Sequence, residues 1–175
     1  TVLSRGLGDV YKRQEVMVRL APSEYYRFVQ ACPGSMDLTF GGAESSVAAS
    51  VSMLGGSSRF VSALPQHAIA DAFVRQMRGF KVDVDHVLRR EAGRFGIYYV
   101  ETGANQRPSR VIYDRDYSAV SICPGEEYDW DAIFADAQWL HISGITLAIS
   151  ETAAQAAILA AEKAQAVGIK VSCDL

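Results

Sequence analysis

Cysteine is scarce in this sequence: Cys32, Cys123 and Cys173 are the only three among 175 residues. They are far apart, odd in number and form no C-x-x-C pair. That argues against a disulfide framework or a zinc site and fits a reducing, cytoplasmic compartment. Three small, buried or half-buried thiols are the expectation. No apolar run approaches the roughly 18 residues of a membrane span, and the start has no charged segment followed by an apolar one, so no secretory signal is read. Charge of one sign is not in excess either: 17 basic residues stand against 20 acidic ones, for a formal net charge of -3. No basic cluster marks a nucleic-acid surface. A G-x-x-x-x-G-K-[ST] phosphate loop and a dinucleotide fingerprint are both missing, as are internal repeats and low-complexity segments.

What is present is an alternation of short strands and helices in a chain that is 49% hydrophobic, enough for one domain with a sizeable core. Residues 16–20 read as a strand. Residues 43–54 read as a helix with Val47, Val51 and Leu54 on one stripe, stopped by Gly55 and Gly56. A strand follows at 59–64, then a helix at 68–78 with Ile69, Phe73 and Met77 on one face. Two strands at 96–101 and 110–114 flank the turn residues Thr102, Gly103, Ala104 and Asn105, a hairpin pattern. A short helix at 131–135 and a buried strand at 139–143 precede an alanine-rich helix capped by Ser150 and ended by Gly168, then a strand at 169–173. Strand–helix–strand alternation predicts a parallel sheet covered by helices. The hairpin and the first strand break that alternation and predict a small separate sheet.

Three features carry candidate chemistry. In Phe40-Gly41-Gly42-Ala43-Glu44-Ser45-Ser46, two glycines open a helix. Gly allows close approach to the backbone, and free N–H groups at a helix start can donate to ligand oxygens; a plain tight turn is the alternative. In the hairpin, alternation puts Tyr98 with Val100 on one face, and Tyr113 with Arg115 on one side of the facing strand. Phenols and a guanidinium suit a hydroxylated acid. The alternative is a solvated face, with Arg115 paired to Asp116 or Glu101. In Leu140-His141-Ile142-Ser143-Gly144-Ile145-Thr146, a buried strand delivers polar backbone to its C-terminal end, where open α/β sheets bind ligands. His141 reads as a satisfied core histidine beside Trp139, and His67 and His86 as loop residues. Asp174, also at a strand's end, could contact substrate or metal, or only cap the next segment of chain.

At these residues the sequence resembles a known family. The run Glu15-Val16-Met17-Val18-Arg19-Leu20-Ala21-Pro22 is similar to the opening of 2-keto-3-deoxygluconate kinases within the PfkB, or ribokinase-like, carbohydrate kinases. Gly41-Gly42-Ala43-Glu44 with Val47-Ala48, the stretch Arg94 through Glu101, Tyr113-Asp114-Arg115 with Ser118-Ala119, His141 through Thr146, and Val171 through Leu175 follow in the family's order. The resemblance covers nearly all of residues 15–175. It implies an incomplete three-layer α/β/α sandwich with a small β-sheet lid that closes over the sugar and forms a homodimer. It implies that Gly41 and Gly42 bond sugar hydroxyls, that Tyr98, Tyr113 and Arg115 hold an acid sugar, and that Ile145 lines the pocket. Ser46 stands where the family has a substrate-binding Asn. The implied whole enzyme transfers the γ-phosphoryl group of ATP, with Mg2+, to 2-keto-3-deoxygluconate or a similar acid sugar. Its ATP site and catalytic residue are expected beyond Leu175, so residues 15–175 contain no catalytic residue and no metal ligand. Alternatives are another PfkB kinase, for fructose, ribose or a nucleoside, and a non-catalytic sugar-binding or scaffold protein. Residues 1–14 resemble a translated sequencing-adapter tail, and the expectation is that they have no packed role and that the first core strand is missing or overwritten.

Overall fold

The computed structural model describes the backbone of residues 10–13 and all of residues 15–174. In chain order the elements are β1 (Val10–Arg13), β2 (Met17–Ala21), α1 (Phe28–Ala31), β3 (Asp37–Gly41), α2 (Ala43–Met53), β4 (Ser58–Val61), β5 (Ala63–Pro65) and α3 (Ala68–Gly79). Then come β6 (Leu88–Arg90), β7 (Gly96–Glu101), β8 (Arg110–Asp114), a 3-10 turn (Gly125–Glu127), α4 (Trp130–Phe134), β9 (Trp139–Ser143), α5 (Gly144–Ile149), α6 (Glu151–Ala166) and β10 (Lys170–Asp174).

Strands β10, β9, β1 and β4 form one sheet in that order, every pair parallel. Here the structure corrects the sequence reading. Val10–Arg13 is an interior strand of this sheet, in register with Ser58–Val61 on one side and with residues 139–142 on the other. Tyr11 and Val10 are adequate strand formers, and a gap between two parallel strands supplies the backbone partners that local propensity does not. Residues 1–9, 14 and 175 lie outside the described residues.

Helices cover this sheet on two sides, each over its own core. On one side Phe60, Phe73, Met77, Ala48 and Val82 pack with α2 and α3. On the other, Leu140, Ile142 and Val61 pack with Trp130, Ile133, Phe134 and α6. Alternation along β4 sends Phe60 one way and Val61 the other, so a single strand feeds both layers. Loss of a fully buried ring such as Phe60 or Phe73 typically costs about 3–5 kcal/mol. The α6 face against the sheet is Ala153, Ala156, Ala157, Ala160 and Ala164, a low surface that brings helix and sheet close together. Its start is fixed by Ser150, whose hydroxyl accepts from the Ala153 N–H at 3.0 Å. Its end is fixed by Gly168, at a φ of +81° that only Gly adopts at no cost.

The second sheet, in the order β3-β2-β7-β8, is the separate sheet expected from the hairpin and the first strand, at the place of the lid that the resemblance implies. It is larger than the sequence suggested, because β3 pairs antiparallel with β2 and β2 pairs parallel with β7. Three further readings are corrected. On α2 the buried stripe is Glu44, Ser45, Ala48 and Val51; Val47 and Leu54 are exposed, because the helix turns its Ser45–Ala48 side inward and its Val47 side to solvent. On α3 Ile69 is exposed, while Ala70 joins Phe73 and Met77 inside. Of the cysteines only Cys123 is buried; Cys32 and Cys173 are exposed.

Candidate functional site

Register across the lid defines a row on one face: Thr39, Arg19, Tyr98 and Tyr113. The neighbouring row begins with Gly41 and Met17 and runs to Gly96, with Arg115 one residue beyond the end of β8. Tyr98 and Tyr113 have ring centroids 6.1 Å apart, and the Arg115 guanidinium carbon lies 5.8 Å from the Tyr113 centroid. Gly41 leaves room for the Tyr98 hydroxyl, which a Cβ at position 41 would meet at 2.2 Å. Gly41, Tyr98, Tyr113 and Arg115 are therefore one platform. Burial pushes the Tyr98 phenol above its ordinary value of 10.0, with the Arg19 charge pulling it back in part, so this hydroxyl keeps its proton and can donate as well as accept at neutral pH.

Arg115 pairs with neither Asp116 nor Glu101. Its Nη2 meets Glu15, whose side chain is almost fully buried beneath the platform. Glu101 instead accepts the Phe28 N–H at 2.8 Å, and Asp114 is held on the opposite face by Arg94, which keeps its carboxyl below its ordinary value of 3.8. Gly96 makes the Glu15 position possible, because a Cβ there would lie 2.7 Å from Glu15 Oε1. Gly42 backs onto the same residue: its Cβ would sit 3.3 Å from the Glu15 carbonyl oxygen.

Gly42 also precedes α2, and no side chain caps that helix. Its first N–H groups are thus free of side-chain acceptors and face the orphan-donor problem of every helix start. The Gly42 carbonyl, by contrast, accepts from the Ser45 hydroxyl at 3.0 Å and from the Ser46 hydroxyl at 2.8 Å. Ser46 is exposed, one turn into α2, with its proton directed back at the helix.

Ile145 opens α5 at the C-terminal end of β9, its N–H capped by the Ser143 hydroxyl at 3.1 Å. It lines an open cleft of about 500 Å³ together with Arg115, Tyr117, Ile122 and Ile149. The cleft joins the lid platform to the end of the parallel sheet, so Arg115 belongs to both. Asp174 ends β10 beside Ser143. His141 is satisfied as read: its Nδ1 and the Trp139 Nε1 both meet the Ser172 hydroxyl, at 2.9 and 2.8 Å. His67 is more than a loop residue, since its Nδ1 accepts the Ala70 N–H and caps α3. Among the described residues no three His, Cys, Asp or Glu side chains lie together as a metal site, and no helix is long and apolar enough to cross a membrane.

Sequence reasoning missed Glu15 and Arg19. Glu15 left a signal, a lone carboxylate immediately before an apolar strand. Arg19 left none, because its place beside Tyr98 depends on the parallel pairing of β2 with β7.

Known proteins share this fold and much of this sequence. Residues 17–174 match the family described as pfkB family carbohydrate kinase. The crystal structure of 2-dehydro-3-deoxygluconokinase from Thermotoga maritima is 40% identical, with a TM-score of 0.90 over 96% of this chain and 51% of that one. The 2-dehydro-3-deoxygalactonokinase of Haloferax volcanii is 38% identical over 138 residues, 79% of this chain and 42% of its own. The 2-dehydro-3-deoxygluconokinase of Thermoproteus tenax is 30% identical over 116 residues, 66% of this chain and 35% of its own. The chain thus spans about half or less of the length of these relatives.

Proposed function

Because the chain belongs to the pfkB family of carbohydrate kinases, we propose that it is the sugar-binding part of an ATP-dependent kinase acting on 2-keto-3-deoxygluconate or a similar acid sugar. The observation that carries this reading is the Gly41–Tyr98–Tyr113–Arg115 platform beside the cleft at the end of the parallel sheet. The Tyr98 and Tyr113 hydroxyls and the backbone of Gly41 and Gly42 before α2 bond sugar hydroxyls, and Ile145 packs on the apolar edge of the ring. Nη2 of Arg115 meets Glu15 and Nε is buried beside it, which leaves Nη1 of the guanidinium fork to meet a substrate carboxylate. Glu15 fixes the direction of that fork.

Phosphoryl transfer to a primary hydroxyl demands alignment of acceptor and donor, a base for the hydroxyl proton and donors for the phosphoryl oxygens. The described residues supply the first requirement for the acceptor. No residue among them is assigned as base, and they hold no cluster fit for Mg2+; base, nucleotide site and metal ligands belong to the remainder of the whole protein. Ser46 weakens the hydroxyl contacts relative to the family's Asn. The exposed strand β8, with Val111, Ile112 and Tyr113 on its surface, is the edge through which two lids pair in a homodimer. The compartment is the cytoplasm, where ATP is available.

The test is substrate preference in the whole enzyme encoded by the complete reading frame. Arg115→Ala should lower kcat/KM for 2-keto-3-deoxygluconate by the equivalent of about 2–5 kcal/mol, the loss expected when one partner of a buried charge pair is removed. It should change kcat/KM for fructose little. Since the substitution also strands Glu15, the same comparison is made in a Glu15→Gln background. Equal losses on both sugars, or no loss on either, would remove the carboxylate role of Arg115.

A further inference from the structure

The platform contains two guanidinium groups, and they are not equivalent. Arg115 is neutralised by the buried Glu15. Arg19 stands in register between Thr39 and Tyr98 on the same face, half-buried, and its side chain makes no hydrogen bond or ion pair with any described residue. The nearest carboxylate on that face by register is Asp37, one row outward beside Ala21, and it takes the Ser23 hydroxyl at 3.5 Å. Asp114 and Glu101 belong to the opposite face and are engaged by Arg94 and the Phe28 N–H. The net positive charge of the platform therefore resides on Arg19, close enough to oppose the rise in the Tyr98 pKa.

We propose that Arg19 is a specificity-determining residue, supplying the uncompensated charge that selects a carboxylate-bearing sugar, while Arg115, fixed by Glu15, sets the orientation of the bound acid. This rests on the sugar-kinase reading given above and sharpens it. An ion pair whose charges already cancel attracts an incoming anion less at a distance than a free charge does, and acts on the bound acid through the charge-assisted hydrogen bonds of its remaining donors. An unpaired guanidinium in a partly desolvated row offers both, with less screening than a fully exposed one. Arginine suits the position because its planar fork can bond a carboxylate while its stem packs along Tyr98 and Thr39.

The experiment uses the whole enzyme with the wild-type residue, with Arg19→Gln and with Arg19→Lys. KM and kcat are measured for 2-keto-3-deoxygluconate and for fructose at low and high salt, and melting temperatures are recorded alongside. Arg19→Gln should raise KM for the acid roughly 10- to 100-fold, the range for one charge-assisted contact. Its kcat and both constants for fructose should stay near wild type. Arg19→Lys should recover part of the KM. Salt should weaken binding of the acid in the wild-type enzyme and have less effect on Arg19→Gln. A wild-type enzyme that prefers the acid, with that preference intact in Arg19→Gln, overturns the role of Arg19 alone. A wild-type enzyme that phosphorylates only neutral sugars overturns the substrate reading and the role of Arg19 with it. A parallel loss on both sugars, or a fall in melting temperature that accounts for the loss, assigns Arg19 a structural part and overturns the proposal.

Discussion

Gly41 is where the backbone and the site meet most closely. The Cβ of an alanine there would lie 2.2 Å from the Tyr98 hydroxyl and 3.0 Å from Cζ of the same ring. The ring cannot absorb that overlap by flexing, because it is rigid beyond χ2 and is flanked by Arg19 and Tyr113 in the row. We expect Gly41→Ala to swing Tyr98 off the platform and to raise the sugar KM of the whole enzyme about tenfold or more, of the order of one lost hydrogen-bonded contact. Tyr98→Phe in the Gly41→Ala background removes the closest atom, so the double variant should be less impaired than the sum of its single changes. Strict additivity, read from a double-mutant cycle in KM, would disprove the contact. The two residues could be singled out from sequence by residue type. Their proximity could not, because Asp37, Leu38 and Thr39 carry no clear strand pattern and β3 went unread. The same gap hid Arg19: alternation gives each strand its two faces, but which faces coincide depends on non-local pairing.

At the scale of elements, helices and strands with strong local signals were legible and those with tertiary causes were not. β7, β8 and β9 agree with their sequence limits, as does the Ser150 cap of α6. The α2 stripe was misassigned because hydropathy ranks Val47 and Leu54 above Ser45 and Ala48, whereas the orientation of the helix on the sheet, set by tertiary contacts, buries Ser45 and Ala48 together with Val51. A tie between elements that periodicity does not reveal is Arg59, on β4. Its Nε donates to Asp83 at 2.5 Å and its Nη1 to the Ile133 carbonyl at 2.7 Å, joining the sheet edge to the chain after α3 and to α4. Burial pushes the Asp83 carboxyl up, but the Asp85 N–H and Arg59 outweigh it, and its pKa lies below 3.8. A depressed carboxyl pKa contributes stability that is present above 3.8, the value in the unfolded chain, and is lost as pH falls through the lower folded value. Arg59→Met should therefore destabilise the fold by about 1–3 kcal/mol at neutral pH, less than a fully buried pair because Asp83 is partly solvated. The difference from wild type should shrink as pH drops below about 3.8 in chemical-denaturant titrations. A penalty that stays constant down to acid pH would show that packing of the arginine stem and its bond to the Ile133 carbonyl, not the charge pair, are what Arg59 contributes.

For the molecule as a whole, the parallel sheet carries two cores on its two faces, and the lid packs Val18 and Phe40 into one of them, with the cleft at the end of the sheet. In the proposed function this arrangement is what positions an acceptor sugar under a charged, aromatic cover. Among the described residues it provides no phosphate-binding loop and no carboxylate cluster for a metal. Several large apolar side chains of the same residues remain in solvent, notably Met53 at 72% and Leu54 at 80% of full exposure, with Trp139 and Ile145 also uncovered. Exposed apolar surface of this kind drives association. We expect the purified 175-residue chain, given ATP, Mg2+ and 2-keto-3-deoxygluconate, to form no phosphorylated product above a no-enzyme blank. We also expect it to self-associate as its concentration rises in sedimentation velocity runs. On the proposed reading the whole enzyme should be active and of fixed size under the same conditions, with the donor site and the cover for Met53 and Leu54 supplied from outside the described residues. Product formed by the chain alone would mean that the described residues hold a base and a nucleotide site after all. The proposed division of labour, an acceptor platform in this chain and the transfer chemistry outside it, would then have to be given up.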